Sequence, residues 1–572
     1  MIQWYDKTRE MKMRVGDQLT AIETDGGKYM AKIAAVKNQD NFTETCSSII
    51  SGVITFFLML LVSVFPLIYH NSYFDILETK YQCFYMLVLG MAAVILVLSL
   101  IMLVVDFNEF KGEHAKALFS SLAPKNWKST FHPADIAVLV FWVVCLISTL
   151  QSEYMFEAFW GNEGRYSGLF LITIYVLFYF LISRCWKVRR WVLQLFLLSG
   201  LIMCYIGITD YFQMDVLNFR GGMKPEQSTI FTSTVGNINT YTAYVSLLMG
   251  FSAGEFLSAK GIWKSLWYYV CLNVAFVAIV MGCSDNAYLA IGVMFAFLPF
   301  AAFGSRRGGL RYLLMISGFT SVIQCIDMIN QKCADTVIGL DSLFQLLVNF
   351  RWLALVVIGF WVITVAYYIF VYRGKSERDA LGNRWKRIWA AGLAFVVLAV
   401  IFALLDANIL GHETRYGDLG RYLVFNDSWG TNRGYIWRKS FELYRDFPIL
   451  HKLFGYGPDT FGIMTTQAFK FEMIDATGQV FDSAHNEYLQ FLLTIGPIGL
   501  AAYLTFQISS VRRMLKKNIG APCALGCACA IVCYGFQALV NLNLPIATPM
   551  MWFLLSVGVA TRGNKANGVT KL

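Results

Sequence analysis

Charge is scarce in this chain. Of its 572 residues only 15% are Asp, Glu, Lys or Arg, against 57% hydrophobic, and the mean hydropathy is +0.53. Soluble globular domains carry about 25% charged residues, so an ordinary set of such domains is excluded. A disulfide framework is missing as well: the thirteen cysteines are scattered, mostly within apolar stretches, without the spacing of a secreted scaffold. No internal repeat is visible. The Gly-rich run Gly455–Gly462 has no GK[ST] ending, which removes the phosphate-binding P-loop from consideration. The first 47 residues have no apolar core stretch and therefore read as a cytoplasmic tail, neither a signal peptide nor a span.

What the chain does have is long apolar runs. A membrane span needs about 20 mostly apolar residues, and fourteen segments qualify, near 48–70, 83–105, 135–151, 166–183, 191–209, 240–258, 265–283, 287–303, 312–329, 351–372, 389–406, 485–510, 521–541 and 548–561. The expected fold is all-α, a polytopic integral membrane protein with about fourteen transmembrane helices. Residues 1–47 form the tail, 48–406 carry helices one to eleven, 407–484 make one long extracytoplasmic loop with an amphipathic helix, and 485–572 carry the last three helices and a short cytoplasmic tail. With the N-terminus inside, 33 of the 47 Lys and Arg fall on inner segments, the positive-inside pattern. Both termini are expected in the cytoplasm. The net charge of +10 follows from this topology and calls for no nucleic-acid partner; the lipid bilayer is the partner it implies.

Polar motifs gather at the outer ends. His485 lies in FDSAHNEYLQ, where a polar lip runs into an apolar helix; Asp482 or Ser483 is expected to cap that helix, and the positive helix end keeps a nearby imidazole neutral. Asp482 has a second possible task, holding the other ring nitrogen. About thirty residues upstream, Ile436, Trp437, Phe441 and Tyr444 stand near helical spacing in an amphipathic piece that lies on the membrane or lids a cavity. Arg433 opens that piece and Arg438 follows five residues on, pointing elsewhere, so Arg433 is the one favoured to face a site. Arg165, in FWGNEGRYSG, is either an interfacial anchor or an arginine that grips phosphate through its planar fork. Asn237 and Asn239 read first as turn residues opening the sixth span and second as amides that orient a sugar or phosphate. Asp285 sits near the membrane boundary between spans seven and eight. Cys523, Cys527, Cys529 and Cys533 look like a metal cluster, yet they belong to a small-residue helix suited to close packing, and no metal is expected there.

The order R-G-x-I-W at 433–437, G-Y-G at 455–457 and A-H-N-x-Y-L-Q at 484–490, followed by G-P-I-G-L, resembles the C-terminal signature of the O-antigen ligase and polymerase superfamily. FWG…RYSGL at 159–169 and GNIN…Y at 236–241 are similar to further elements of bacterial relatives. The resemblance implies a GT-C-type glycosyltransferase of the bacterial cell membrane that works without metal or cofactor. It would take a glycan from undecaprenyl diphosphate on the extracytoplasmic face and join it to a glycan, lipid or protein acceptor. His485 would be the general base, Arg433 and Arg165 would hold the diphosphate, and Asp482, Asn486, Tyr488, Asn237 and Asn239 would support them. Two elements depart from the family pattern. No arginine precedes Gly236 closely, and Ser284-Asp285-Asn286 stands where relatives carry S-R-G or S-R-A; Arg220, Lys224 and Arg438 are the candidates for a third cation. Ligase is favoured over polymerase. An anion or lipid-linked glycan transporter is the contrasting class, disfavoured because paired halves are not seen.

Overall fold

The computed structural model describes residues 41–221, 223–224, 228–340, 342–373, 383–516 and 523–560. Most of the expected tail before residue 48, the part of the inner loop at 374–382 and the residues after 560 therefore lie outside the described residues. Two compact units are present. In the smaller one, described over 41–53 and 93–130, Asp106 closes the turn between two helices: its carboxylate accepts from the Ala115 amide at 2.9 Å and faces the His114 ring at 2.5 Å. The larger unit, 54–92 and 131–560, contains every candidate functional residue.

The secondary structure is overwhelmingly helical; the described strands are the two-residue pair Phe231–Thr232 and Gly236–Asn237. A helix stands at each of the fourteen expected segments, and eight are long and apolar enough to cross a membrane by length and composition. Leu169–Cys185, Asn286–Ala302, Ala524–Val540 and Thr548–Ala560 are apolar but shorter. The expected continuous span at 485–510 is a correction: it is two helices, Glu487–Thr494 and Gly496–Leu515, broken where Gly496 takes φ +68° and a Pro follows. A Cβ at Gly496 would fall on the Leu453 carbonyl, so the break is also where the outer loop packs in.

Burial is inverted relative to hydropathy. Asn383–Asn408 and Leu353–Tyr372, among the most apolar helices, are hardly buried by protein, as expected for helices solvated by lipid chains. The helix Ile238–Ser258, rich in Thr, Ser, Tyr and Gly, is buried from Thr240 to Phe256, and Thr548–Ala560 is buried throughout. Small residues allow the centre to close. A Cβ at Gly250 or Gly254 would meet the backbone of Ala530 or Gly526 at 2.8 or 2.6 Å, so these two helices touch backbone to backbone. The four cysteines of the 523–533 stretch are buried free thiols in this same contact region.

The segment 407–484 is a folded cap. It contains the helices Trp429–Arg445, Ile449–Phe454 and Phe461–Thr477, of which only the first was expected from the sequence. Tyr435, Ile436, Phe461, Met464, Met473 and Phe481 share one apolar cluster with Leu489 and Leu493 of the following helix. Trp437 packs on that cluster, whereas Phe441 is exposed.

Candidate active site

Three chain segments far apart in sequence are stitched together where segment 407–484 meets the helix ends. Gly455 and Gly457 adopt φ +73° and +116°, and this turn lets the Gly457 amide reach the Thr494 carbonyl at 2.8 Å while Gln151 donates to the Gly455 carbonyl at 2.9 Å. Next in the turn, the buried Asp459 carboxylate accepts from the Asn162 and Ser167 amides at 2.8 and 3.0 Å, and the Asn162 side chain returns a bond to the Asp459 carbonyl. Burial pushes this carboxyl up to about 7, against the lowering pull of those two amides. Asp459 thus clamps the 162–167 loop, which carries Arg165. The sequence offered no signal for it beyond a Gly/Pro turn.

The His485 loop is pinned just as closely. The Trp437 indole donates to the Ala484 carbonyl at 2.8 Å, and the Thr465 hydroxyl donates to the Phe481 carbonyl at 3.0 Å. His485 itself sits at φ +47°, a left-handed conformation uncommon for a residue other than glycine and of the kind held in place at functional sites. This kink corrects the expected cap. The helix begins at Glu487, and Asn486 caps it by accepting from the Tyr488 and Leu489 amides at 3.0 Å each; neither Asp482 nor Ser483 does. The reason is geometric, since a left-handed residue at 485 turns the preceding chain away from the helix axis. Tyr488 donates its hydroxyl to the Gly535 carbonyl at 2.6 Å and braces the same helix.

His485, Arg165, Asp482, Asn237 and Asn239 line one cavity of about 440 Å³, with aromatic walls that include Tyr73, Tyr166 and Phe231. Arg165 is held edge-on by Asp482, Nε to Oδ2 at 3.0 Å and Nη2 to Oδ1 at 2.6 Å, and this partner keeps the Asp482 carboxyl below the usual range although burial opposes it. Arg433 is not among the lining residues, but its charge reaches His485. It follows three consecutive left-handed residues, Gly430, Thr431 and Asn432, and precedes Gly434, where a Cβ would fall on the Asn426 carbonyl. The R-G pair is thereby explained: only glycine allows the chain that aims Arg433 to pass so close. Burial lowers the Arg433 pKa and the Asp285 carboxylate, its electrostatic neighbour, raises it. The unexpected feature is His485: burial first, then Arg433 and Arg165, depress its pKa to about 4, well below the near-neutral value suited to a base.

The remaining candidates are placed elsewhere. Arg220 donates to the carbonyls of Asp210 and Phe231 at 3.2 and 2.9 Å. Arg438 is paired with Asp427 at 2.9 and 2.7 Å on an exposed face and lies over the Tyr435 ring. Lys224 is exposed and is not among the lining residues. Asn237 caps the 238–258 helix by accepting from the Asn239 amide, and Asn239 takes bonds from Ser284, Asn286 and Asn541, so both serve the turn while facing the cavity.

An all-α protein with membrane-length apolar helices and a cavity lined by Arg165, Asp482 and His485 is the class these observations define. Residues 346–504 match the model of a family described as O-antigen ligase, a stretch that holds Arg433, Asp482 and His485 but not Arg165. The matched stretch is 159 of the 572 residues, and it is this part of the chain that is similar to the family. No curated protein matches the chain.

Proposed function

We propose that this protein is an inverting, metal-independent glycosyltransferase that takes a glycan from undecaprenyl diphosphate at the extracytoplasmic face and joins it once to an acceptor hydroxyl, as a ligase does. The observation that carries this reading is the cavity that brings Arg165 and His485 together, with the charge of Arg433 acting on the same ring although Arg433 is not among the lining residues. In the proposed step the acceptor oxygen attacks the anomeric carbon as its proton passes to a His485 ring nitrogen. The bond from that carbon to the phosphate oxygen breaks, and its electron pair leaves with the lipid diphosphate. Two guanidinium groups neutralise the departing charge, the work a divalent cation does in other phosphate chemistry. Attack opposite the leaving group inverts the anomeric centre. Tyr73, Tyr166 and Phe231 offer ring faces, and Asn237 and Asn239 offer amides, to the sugar.

The test is a proteoliposome carrying the purified protein and a lipid-diphosphate oligosaccharide. Transfer by the wild type and none by His485→Ala, inserted equally well, supports the reading; undiminished transfer by His485→Ala overturns it. The product decides between the two superfamily activities, because a ligase caps an acceptor once whereas a polymerase gives a ladder.

A further inference from the structure

Asp482 occupies the place a phosphoryl group would take. A guanidinium fork binds carboxylate and phosphate in the same bidentate geometry, so one excludes the other on the same edge. Of the two partners, Arg165 is the enclosed one, its side chain 17% exposed, and Asp482 the accessible one at 61%. The backbone around Asp482 has no freedom to follow a ligand: the Phe481 and Ala484 carbonyls are held by Thr465 and Trp437, and Gly462 packs against the Asp482 backbone. The side-chain bonds of Asp482 carry no such restraint beyond the Arg165 fork itself. Three residues on, the His485 ring has no hydrogen bond from any described residue, although the Asp482 charge already reaches it.

We propose that Asp482 is a positioning residue that changes partners during turnover: it neutralises Arg165 in the empty site, the donor's diphosphate displaces it, and the freed carboxylate passes to the His485 imidazole. There it holds one ring N–H while the other nitrogen takes the proton of the acceptor hydroxyl, and it stabilises the imidazolium that forms. The inference rests on the lipid-diphosphate reading above. Its consequence is order. In the empty site the two arginines and burial depress the basicity of His485; the incoming diphosphate and the released carboxylate both act in the opposite sense, so the base is strengthened only once the donor is bound. Donor therefore binds before acceptor, and Asp482 raises the rate while weakening donor binding.

The experiment measures farnesyl diphosphate binding to detergent-purified protein together with transfer kinetics, for the wild type, Asp482→Ala, Asp482→Asn and Arg165→Ala. Removal of the competing carboxylate is expected to tighten farnesyl diphosphate binding about three- to tenfold. The same removal should lower kcat about ten- to a hundredfold, so that KM for the donor and kcat fall together. Asp482→Asn, which keeps the shape, should behave alike and covers the case in which the alanine variant does not fold. Farnesyl diphosphate binding that is unchanged or weaker in both Asp482 variants overturns the exchange. If Arg165→Ala binds the probe as well as the wild type, the diphosphate reading itself fails. Loss of binding in Arg165→Ala without tightening in the Asp482 variants overturns the exchange alone.

Discussion

Two arginine–aspartate pairs of nearly the same geometry stand outside the apolar helices of this protein. Arg165 and Asp482 meet at 3.0 and 2.6 Å; Arg438 and Asp427 meet at 2.9 and 2.7 Å. The first joins segments more than three hundred residues apart and borders a cavity beside His485, while the second closes eleven residues of one loop with both side chains half exposed. Distance and geometry do not separate them. Their surroundings do: in a narrow, partly buried cavity a cation acts on its neighbours through little water, and on the surface the same cation is screened.

The largest effects should come from breaking the cavity pair's surroundings. Arg165→Ala and Arg433→Ala are each expected to lower kcat/KM about a hundredfold or more, the scale for removing a preorganised donor to developing charge, whereas Arg438→Ala should stay within about twofold, as exposed pairs contribute little. Equal losses in all three, in proteoliposome assays, would erase the distinction. Next is Asp459, which positions Arg165 through two backbone amides. Asp459→Ala should lower transfer about tenfold, the scale of one buried acceptor removed, and Asp459→Asn, which still accepts, should keep most of it.

Titration sharpens the contrast. With a pKa near 4 the His485 ring of the empty site is neutral through the physiological range, and removal of a neighbouring positive charge moves that value up. NMR titration of labelled histidine should therefore show an upward shift in Arg165→Ala and Arg433→Ala and none in Arg438→Ala. Asp459 gives the opposite dependence on stability. Its carboxyl is raised in the folded state, so the stability linked to it is present in acid and is lost as pH climbs through about 7. The melting temperature of the wild type should therefore fall, relative to that of Asp459→Asn, as the pH is raised towards about 7. The smallest effect is that of EDTA, which should leave transfer unchanged if, as proposed, guanidinium groups carry the diphosphate charge.

Particular residues show how far the sequence could be read. The apolar runs and the basic inner loops located the helices, because a bilayer demands length and hydropathy that no neighbouring chain can supply. The order of R-G-x-I-W, G-Y-G and A-H-N pointed to His485 and Arg433. The break at Gly496, the Asn486 cap and the Asp459 clamp were not legible, since each depends on a backbone turn or an amide brought in from another segment. Arg165 could be read as anchor or as phosphate ligand and Arg220 as a third cation, but no local pattern showed that the first meets Asp482 and the second the carbonyls of Asp210 and Phe231.

By itself the sequence determined the class, because hydrophobic length, charge asymmetry and short polar motifs are properties of continuous stretches of chain. The tertiary structure alone set Arg165 and His485 on one cavity, paired Arg165 with Asp482, and depressed the basicity of the ring through burial and the charges of Arg433 and Arg165. Those are properties of separation and burial, and residues 165, 433 and 485 acquire them only when the cap closes over the ends of the helices.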